Sequence, residues 1–190
     1  MATGSGDRSA RVFDPATGAE LARLDHEGLV TAVAFSPDGT RVVTGSRDRS
    51  ARVFAAATGA ELARIDHGGP VLAVAFSPDG TRVATGSADR SARVFEAATG
   101  AELARLDHGG PVRAVAVSPD GTWVATGSHD RSARVFAPAT GAELARLDHD
   151  GGSTRWRSAR TAPGWPPAAR TARRGCSRQR LTCLFSGQSN

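Results

Sequence analysis

Apolar residues along this chain come in short runs separated by polar turns, and the same arrangement returns again and again. In the stretch from Val30 to Asp66, VTAVAFS (Val30 to Ser36) is an apolar run of strand length. It is closed by PDGT (Pro37 to Thr40), where proline presets φ and glycine takes the positive value. RVVTGS (Arg41 to Ser46) predicts a second strand, and Asp48 closes a tight turn. SARVF (Ser50 to Phe54) predicts a third strand, with Ala51 and Val53 on one face and Arg52 and Phe54 on the other. After the turn ATG (Ala57 to Gly59), AELARI (Ala60 to Ile65) predicts a fourth strand whose Glu61 and Arg64 suit a sheet edge. Six residues between turns are too few for a stable helix. The first run is apolar on both faces, which a sheet tolerates only when other layers cover both sides; Val71 to Ser77 and Val112 to Ser118 repeat it.

The string DRSARVF starts at Asp7, Asp48, Asp89 and Asp130, a spacing of 41 residues each time. Units of about 40 to 45 residues with four short strands belong to propeller blades, each of which covers its neighbours' faces and none of which is stable alone. The divisions read as a partial blade over 1-25 (end of strand b, then strands c and d) and full blades over 26-66, 67-107 and 108-148. Met1 aligns with Val83 and Ala2 with Ala84, inside a strand, so the expectation is that residue 1 is internal to a longer array. Rings have four to eight blades. About three and a half do not close one alone, whereas two copies supply seven, which makes a homodimer an expectation.

With period, strands and turns in place, AVAFSPDGTRVATGS (Ala73 to Ser87), the following Asp89 and then RVF resemble the WD-repeat β-propeller family, over residues 1 to about 150. The resemblance implies an all-β fold, an incomplete WD-repeat β-propeller of about three and a half four-stranded blades. It also implies a buried hydrogen-bonded set in each blade: His26, Thr44 and Asp48; His67, Thr85 and Asp89; His108, Thr126 and Asp130. The family's tryptophan in strand c is replaced by Phe54, Phe95 and Phe136, which have no N–H. Each set is therefore one link short, at a cost of about 1 kcal/mol. A looser propeller follows, in which the His to Asp contact survives.

The function this implies is a non-enzymatic scaffold for protein docking, as a fragment of a longer propeller. The copies differ at Leu29, Pro70 and Pro111, at Thr31, Leu72 and Arg113, and at Arg47, Ala88 and His129, just after the histidine or just before the aspartate. Both loops lie at one end of a blade, and in the WD-repeat family that face is the usual docking surface. Neutral drift at exposed sites produces the same pattern, and Phe35, Phe76 and Val117 show that strand positions drift as well. The alternatives are a propeller enzyme with a site in the central channel, which calls for non-repeating polar residues that this chain scarcely has, and a truncated product without function. A Ser–His–Asp reading is set aside, because a catalytic constellation is used once whereas these histidines recur with the same surroundings. The PDG and D-x-x-S segments lack the alternating acids of a calcium loop, and no phosphate-cradling loop or paired carboxylates stand out. No catalytic residue, metal or cofactor is assigned.

The net charge of +5 points at first to nucleic acid. The average misleads: from Ser153 on there are eight arginines and no acid, which leaves 16 of the 24 arginines against all 19 acids in residues 1 to 152, a balance of −3. Nucleic acid is accordingly set aside as a partner of the repeats. No apolar run approaches 18 residues and no signal peptide is evident, so no membrane contact and a cytoplasmic place are expected. Cys176 and Cys183 fall in the same last stretch, so no disulfide or metal framework is assigned to the repeats. His149 stands where the next histidine belongs, but Ser153 replaces the expected valine. Under GC-rich codons, the bases encoding Ser153 to Ser177, read two places later, spell HAVAFSPDGTRVATGSPDRTARVF, the missing repeat in register. Residues 149-190 therefore read as a frame-shifted further repeat, Arg- and Pro-rich and disordered by composition.

Overall fold

A computed structural model describes residues 1–149 of the chain. The disordered tail and the further repeat expected from residue 150 on lie outside the described residues. The described residues form fifteen strands and no helix. A three-stranded sheet comes first, with β1 (Ala2–Gly4), β2 (Ser9–Phe13) and β3 (Glu20–Asp25). The second sheet holds β4 (Val30–Phe35), β5 (Arg41–Ser46), β6 (Ser50–Ala55) and β7 (Glu61–Asp66). The third holds β8 (Val71–Phe76), β9 (Arg82–Ser87), β10 (Ser91–Glu96) and β11 (Glu102–Asp107). The fourth holds β12 (Val112–Val117), β13 (Val124–Ser128), β14 (Ser132–Ala137) and β15 (Ala142–Asp148). Every sheet is an antiparallel meander whose neighbours in space are neighbours in sequence, as in an incomplete β-propeller.

The core consists of joints between successive sheets. Ala22 and Leu24 of the first sheet pack with Val30, Val42 and Phe54 of the second. Ala51 and Ile65 of the second pack with Val71 and Phe95 of the third, and Val43, Val53 and Ala63 with Val83 and Ala97. Ala104 and Leu106 of the third meet Val112, Val124 and Phe136 of the fourth. The sheets approach so closely that a Cβ on Gly45 would stand 2.8 Å from a Val71 methyl, which only glycine permits.

In the four-stranded sheets the strand with both faces covered is the second, not the first as expected. β5 is buried from Val42 to Ser46 and β9 from Val83 to Ser87. β4, by contrast, is half-buried from Ala32 to Ala34, and Phe35 is 37% exposed. The reason is position: β4, β8 and β12 lie beside one another at the inner margin of the sheets, with strands on their outer side only among the described residues.

Two β-bulges recur. One falls on the second residue of the first strand, at Thr31, Leu72 and Arg113, between the partnered pairs on either side. The other falls in the last strand and turns Leu21, Leu62, Leu103 and Leu144 outward, so that each is about half exposed.

Candidate functional site

At one end of each sheet the chain passes from the last strand, through a histidine, into the first strand of the next sheet. The His26 imidazole is wholly shielded from solvent. Its Nδ1 lies 2.9 Å from Asp48 Oδ2 and its Nε2 2.6 Å from Thr44 Oγ1. A neutral ring that donates from Nδ1 and accepts the threonine hydroxyl at Nε2 satisfies both nitrogens. Asp48 in turn accepts from the Ser50 N–H at 2.9 Å, the Ser50 hydroxyl at 2.7 Å and the Glu27 N–H at 3.1 Å. One side chain thereby ties together the inter-sheet crossing and the b-to-c turn.

The structure brings together the other two expected sets as well, with one difference. His67 Nε2 meets Thr85 at 2.9 Å and His108 Nε2 meets Thr126 at 2.8 Å. The Nδ1 atoms stand 3.4 Å from Asp89 and Asp130, and both are buried without a hydrogen-bond partner. Glycine follows the histidine in these two copies, where Glu27 follows His26, and Gly68 and Gly109 donate to the aspartates at 3.0 and 2.9 Å. Arg93 and Arg134 add a second contact to the same oxygens at 3.3 Å. The His to Asp bond thus holds in one set and loosens in two. Phe54, Phe95 and Phe136, where the WD-repeat resemblance expects tryptophan, are each set edge-on to the histidine with ring centres 6.2, 5.9 and 6.0 Å apart. The threonine hydroxyls sit only at the long end of reach from a strand carbonyl, 3.4 Å from Thr44 to Arg52 O, so the missing link is not replaced by a strong one.

Burial pushes all three histidines below their ordinary pKa and favours the neutral ring, against the pull of the adjacent aspartates. Burial also works against ionisation of Asp89, but the Ser91 hydroxyl and N–H and the Gly68 N–H outweigh it and hold the carboxyl at about 2. The same balance keeps Asp48 and Asp130 well below the carboxylate range. The nearest serine hydroxyls, Ser50 and Ser91, donate to aspartate rather than to histidine. The histidine nitrogens are closed to solvent, so the arrangement braces the crossing and offers no nucleophile.

The residues that differ between copies meet in pairs on the outer side of this end. Arg47 N–H donates to Leu29 O at 2.9 Å, Ala88 to Pro70 at 2.8 Å and His129 to Pro111 at 2.8 Å. Leu29, Arg47, Arg113 and His129 are exposed, while Pro70, Leu72, Ala88 and Pro111 are half-buried. Thr31 is exposed, and its hydroxyl donates to Gly45 O at 3.0 Å and contacts the Val71 carbonyl. One further group went unseen in the sequence. Arg8, Arg49, Arg90 and Arg131 each occupy the left-handed region, at φ between 66 and 71°, with exposed side chains. They are identical in every copy, so a search for differences between copies passed over them. A cleft of about 340 Å³ at the opposite end is lined by Asp79, Arg82 and Asp120, but both carboxylates are occupied by their own turn hydroxyls and N–H groups.

The profile of the family described as outer membrane protein assembly factor BamB matches residues 6–171. The chain belongs to this family. Membership of the BamB family makes it a propeller-type repeat protein, in agreement with the serial four-stranded meanders. None of the curated proteins matches it. Among solved structures it is similar to the computationally designed Ika8 protein, at 29% identity and a TM-score of 0.74, over 83% of this chain and 49% of that one. The BamB-family chain thus spans about half the length of that structure.

Proposed function

We propose that this BamB-family chain is a non-enzymatic docking scaffold with WD-type blades, forming part of a larger ring and holding an acidic segment of another protein. The observation that carries the reading is the separation of roles between inside and outside. The His–Thr–Asp chemistry that every copy shares is buried and committed to bracing, while the side chains that differ lie together at the surface of the same end. That surface carries an excess of cations: Arg8, Arg47, Arg49, Arg90, Arg113 and Arg131 form no ion pair among the described residues, whereas the exposed acids beside them, Asp25, Asp66, Asp107 and Asp148, are each paired with an arginine of their own strand, and Glu27 is the further acid there. The turns of the opposite end carry Asp38, Asp79 and Asp120. The WD-type reading is supported by the His–Thr–Asp sets, and the family's description as an assembly factor is in keeping with a chain that holds other proteins.

A peptide-display selection on the intact chain tests this. Enriched peptides are expected to be rich in Asp and Glu, to bind less tightly as salt rises, and to lose tenfold or more in affinity on Leu29→Glu with Arg49→Glu. Substitutions at Pro37 and Pro78, on the opposite end, leave binding unchanged. Peptides that are not acidic, or that ignore the first pair of substitutions and respond to the second, refute the proposal.

A further inference from the structure

Three arginines recur in every copy, and they are not used alike. Arg11, Arg52, Arg93 and Arg134 each reach two acids, the aspartate of the turn before them and a glutamate of the last strand, at 2.9 to 3.7 Å. Arg23, Arg64, Arg105 and Arg146 each pair with the aspartate two residues on, at 2.9 to 3.0 Å. The third kind, Arg8, Arg49, Arg90 and Arg131, is exposed and forms no ion pair among the described residues.

These four are also the non-glycine residues of positive φ among the described residues. Their turn needs a left-handed residue but not a guanidinium. The carbonyl of each accepts from a histidine N–H, and the aspartate before it accepts from the serine after it, whatever the side chain between them. Asparagine or glycine adopts that backbone more readily. Arginine thus stands four times where the main chain disfavours it and where no acid of the sheets uses it, and strain kept at an exposed position points to a use outside the fold. Arg49 and Arg90 lie in the second and third sheets, which have packed neighbours on both sides, so their exposure belongs to the blade itself.

We propose that these arginines are equal subsites of one anion-binding row, and that the docked segment is an extended peptide whose carboxylates recur about every third residue, one to each sheet. The inference rests on the docking reading above and specifies its partner. The guanidinium fork matches a carboxylate with two parallel hydrogen bonds, which suits it to this ligand. The spacing follows from geometry: sheets packed face to face lie about 10 Å apart, and an extended chain advances about 3.3 Å per residue. About ten residues therefore cross four sheets. The identical arginines supply the common affinity, and the differing residues beside them, such as Leu29 and Arg47, select among acidic tracts.

The test compares two synthetic peptides of about ten residues, each with four glutamates among serines, on the full chain. In one the glutamates fall at every third position, and in the other they are bunched at one end. The spaced peptide is expected to bind about tenfold tighter, since only it meets all four subsites, each pair being worth about threefold. Arg8→Asn, Arg49→Asn, Arg90→Asn and Arg131→Asn are each expected to weaken it about threefold and alike, with the β-sheet circular dichroism retained because asparagine suits the turn. Arg41→Asn with Arg82→Asn removes two charges from the opposite end and is expected to leave binding unchanged. The eight arginines from Ser153 on are the same in every variant, so their share cancels. Equal affinity for the two peptides, a loss confined to one arginine, or an equal loss from the Arg41 and Arg82 pair overturns the proposal. So does a fourfold asparagine variant that binds as tightly as the natural chain. Display-selected acidic peptides that respond to Leu29→Glu with Arg49→Glu but ignore Arg90→Asn and Arg131→Asn overturn the row and leave the docking reading standing, whereas a chain that selects no acidic peptide overturns both.

Discussion

Substituting Arg8, Arg49, Arg90 and Arg131 with asparagine is expected to stabilise the protein, and the size of the effect follows from backbone geometry alone. Each arginine sits at a φ of 66 to 71°, where its Cβ crowds the following carbonyl at a cost of about 1–2 kcal/mol. Asparagine tolerates that region far better, because its short amide bonds locally. The side chains are exposed, so little packing is lost. The main-chain role is untouched, since the carbonyls of these residues accept from the N–H groups of His26, His67, His108 and His149 whatever the side chain. A gain of about 0.5–1 kcal/mol per site follows, and sites in separate sheets add, so the fourfold variant gains about 2–4 kcal/mol. Glycine relieves the same crowding but gives back part of it through unfolded-chain freedom, and alanine keeps its Cβ and gains nothing. Urea unfolding reads the result as a rise in midpoint at constant slope. If the asparagine and alanine variants unfold together, the left-handed turn is not the source of the strain and the reasoning is wrong. The same substitutions strip the cationic face, so the stabilised variant should bind acidic peptides worse, a trade of stability against docking.

Lowering the pH from 7 towards 5 should destabilise the fold. His26, His67 and His108 take up a proton near pH 6.5 in the unfolded chain but resist it when buried, so each contributes a loss of up to about 1.4 kcal/mol per pH unit below that point. A urea midpoint that does not move over this interval rules out neutral buried histidines. A second loss, from Asp89, sets in only below about pH 4, where the unfolded carboxyl protonates, and runs on towards its native value of about 2. Leu106→Ala, at 1% exposure in a joint, should cost about 2–5 kcal/mol, whereas Leu103→Ala, turned outward by the bulge at 49% exposure, should fall within about 0.5 kcal/mol. Equal losses in thermal or urea unfolding mean that the bulge is misplaced.

Strand positions were legible because turn residues punctuate the chain: P-D-G-T and A-T-G stand at the hairpins, and predicted and observed strands differ by about one residue at their ends. The His, Thr and Asp of each set were legible through the family resemblance, and the structure places all nine in three clusters. The bulges were not legible. Apolar residues at Leu62, Ala63 and Ile65 break a period of two, and only the pairing of Val53 and Phe54 with Ala63 and Glu61 shows that Leu62 is the extra residue. The loosening of the second and third sets was equally hidden, since the same main-chain donor reaches the aspartate in all three and it is the His to Asp distance that differs. Which strand lies deepest also escaped the sequence. Apolar content singled out the first strand, whereas burial depends on how many neighbours a strand has, and that is set by its place between the inner margin and the joint.

Near-identity between copies carries a consequence of its own. Because the joint residues repeat, nothing in a given face distinguishes the sheet that follows it in the chain from any other sheet of the same kind. Order within the chain is set instead by the short crossings, such as the one from Asp25 to Val30, which hold the following sheet at an effective concentration of the order of millimolar. A second molecule at ordinary concentrations cannot compete with that for an internal joint. The joints are thus interchangeable in composition and ordered by the crossings, and the differences that distinguish the copies collect where no joint forms, at the surface of the end that carries the crossings.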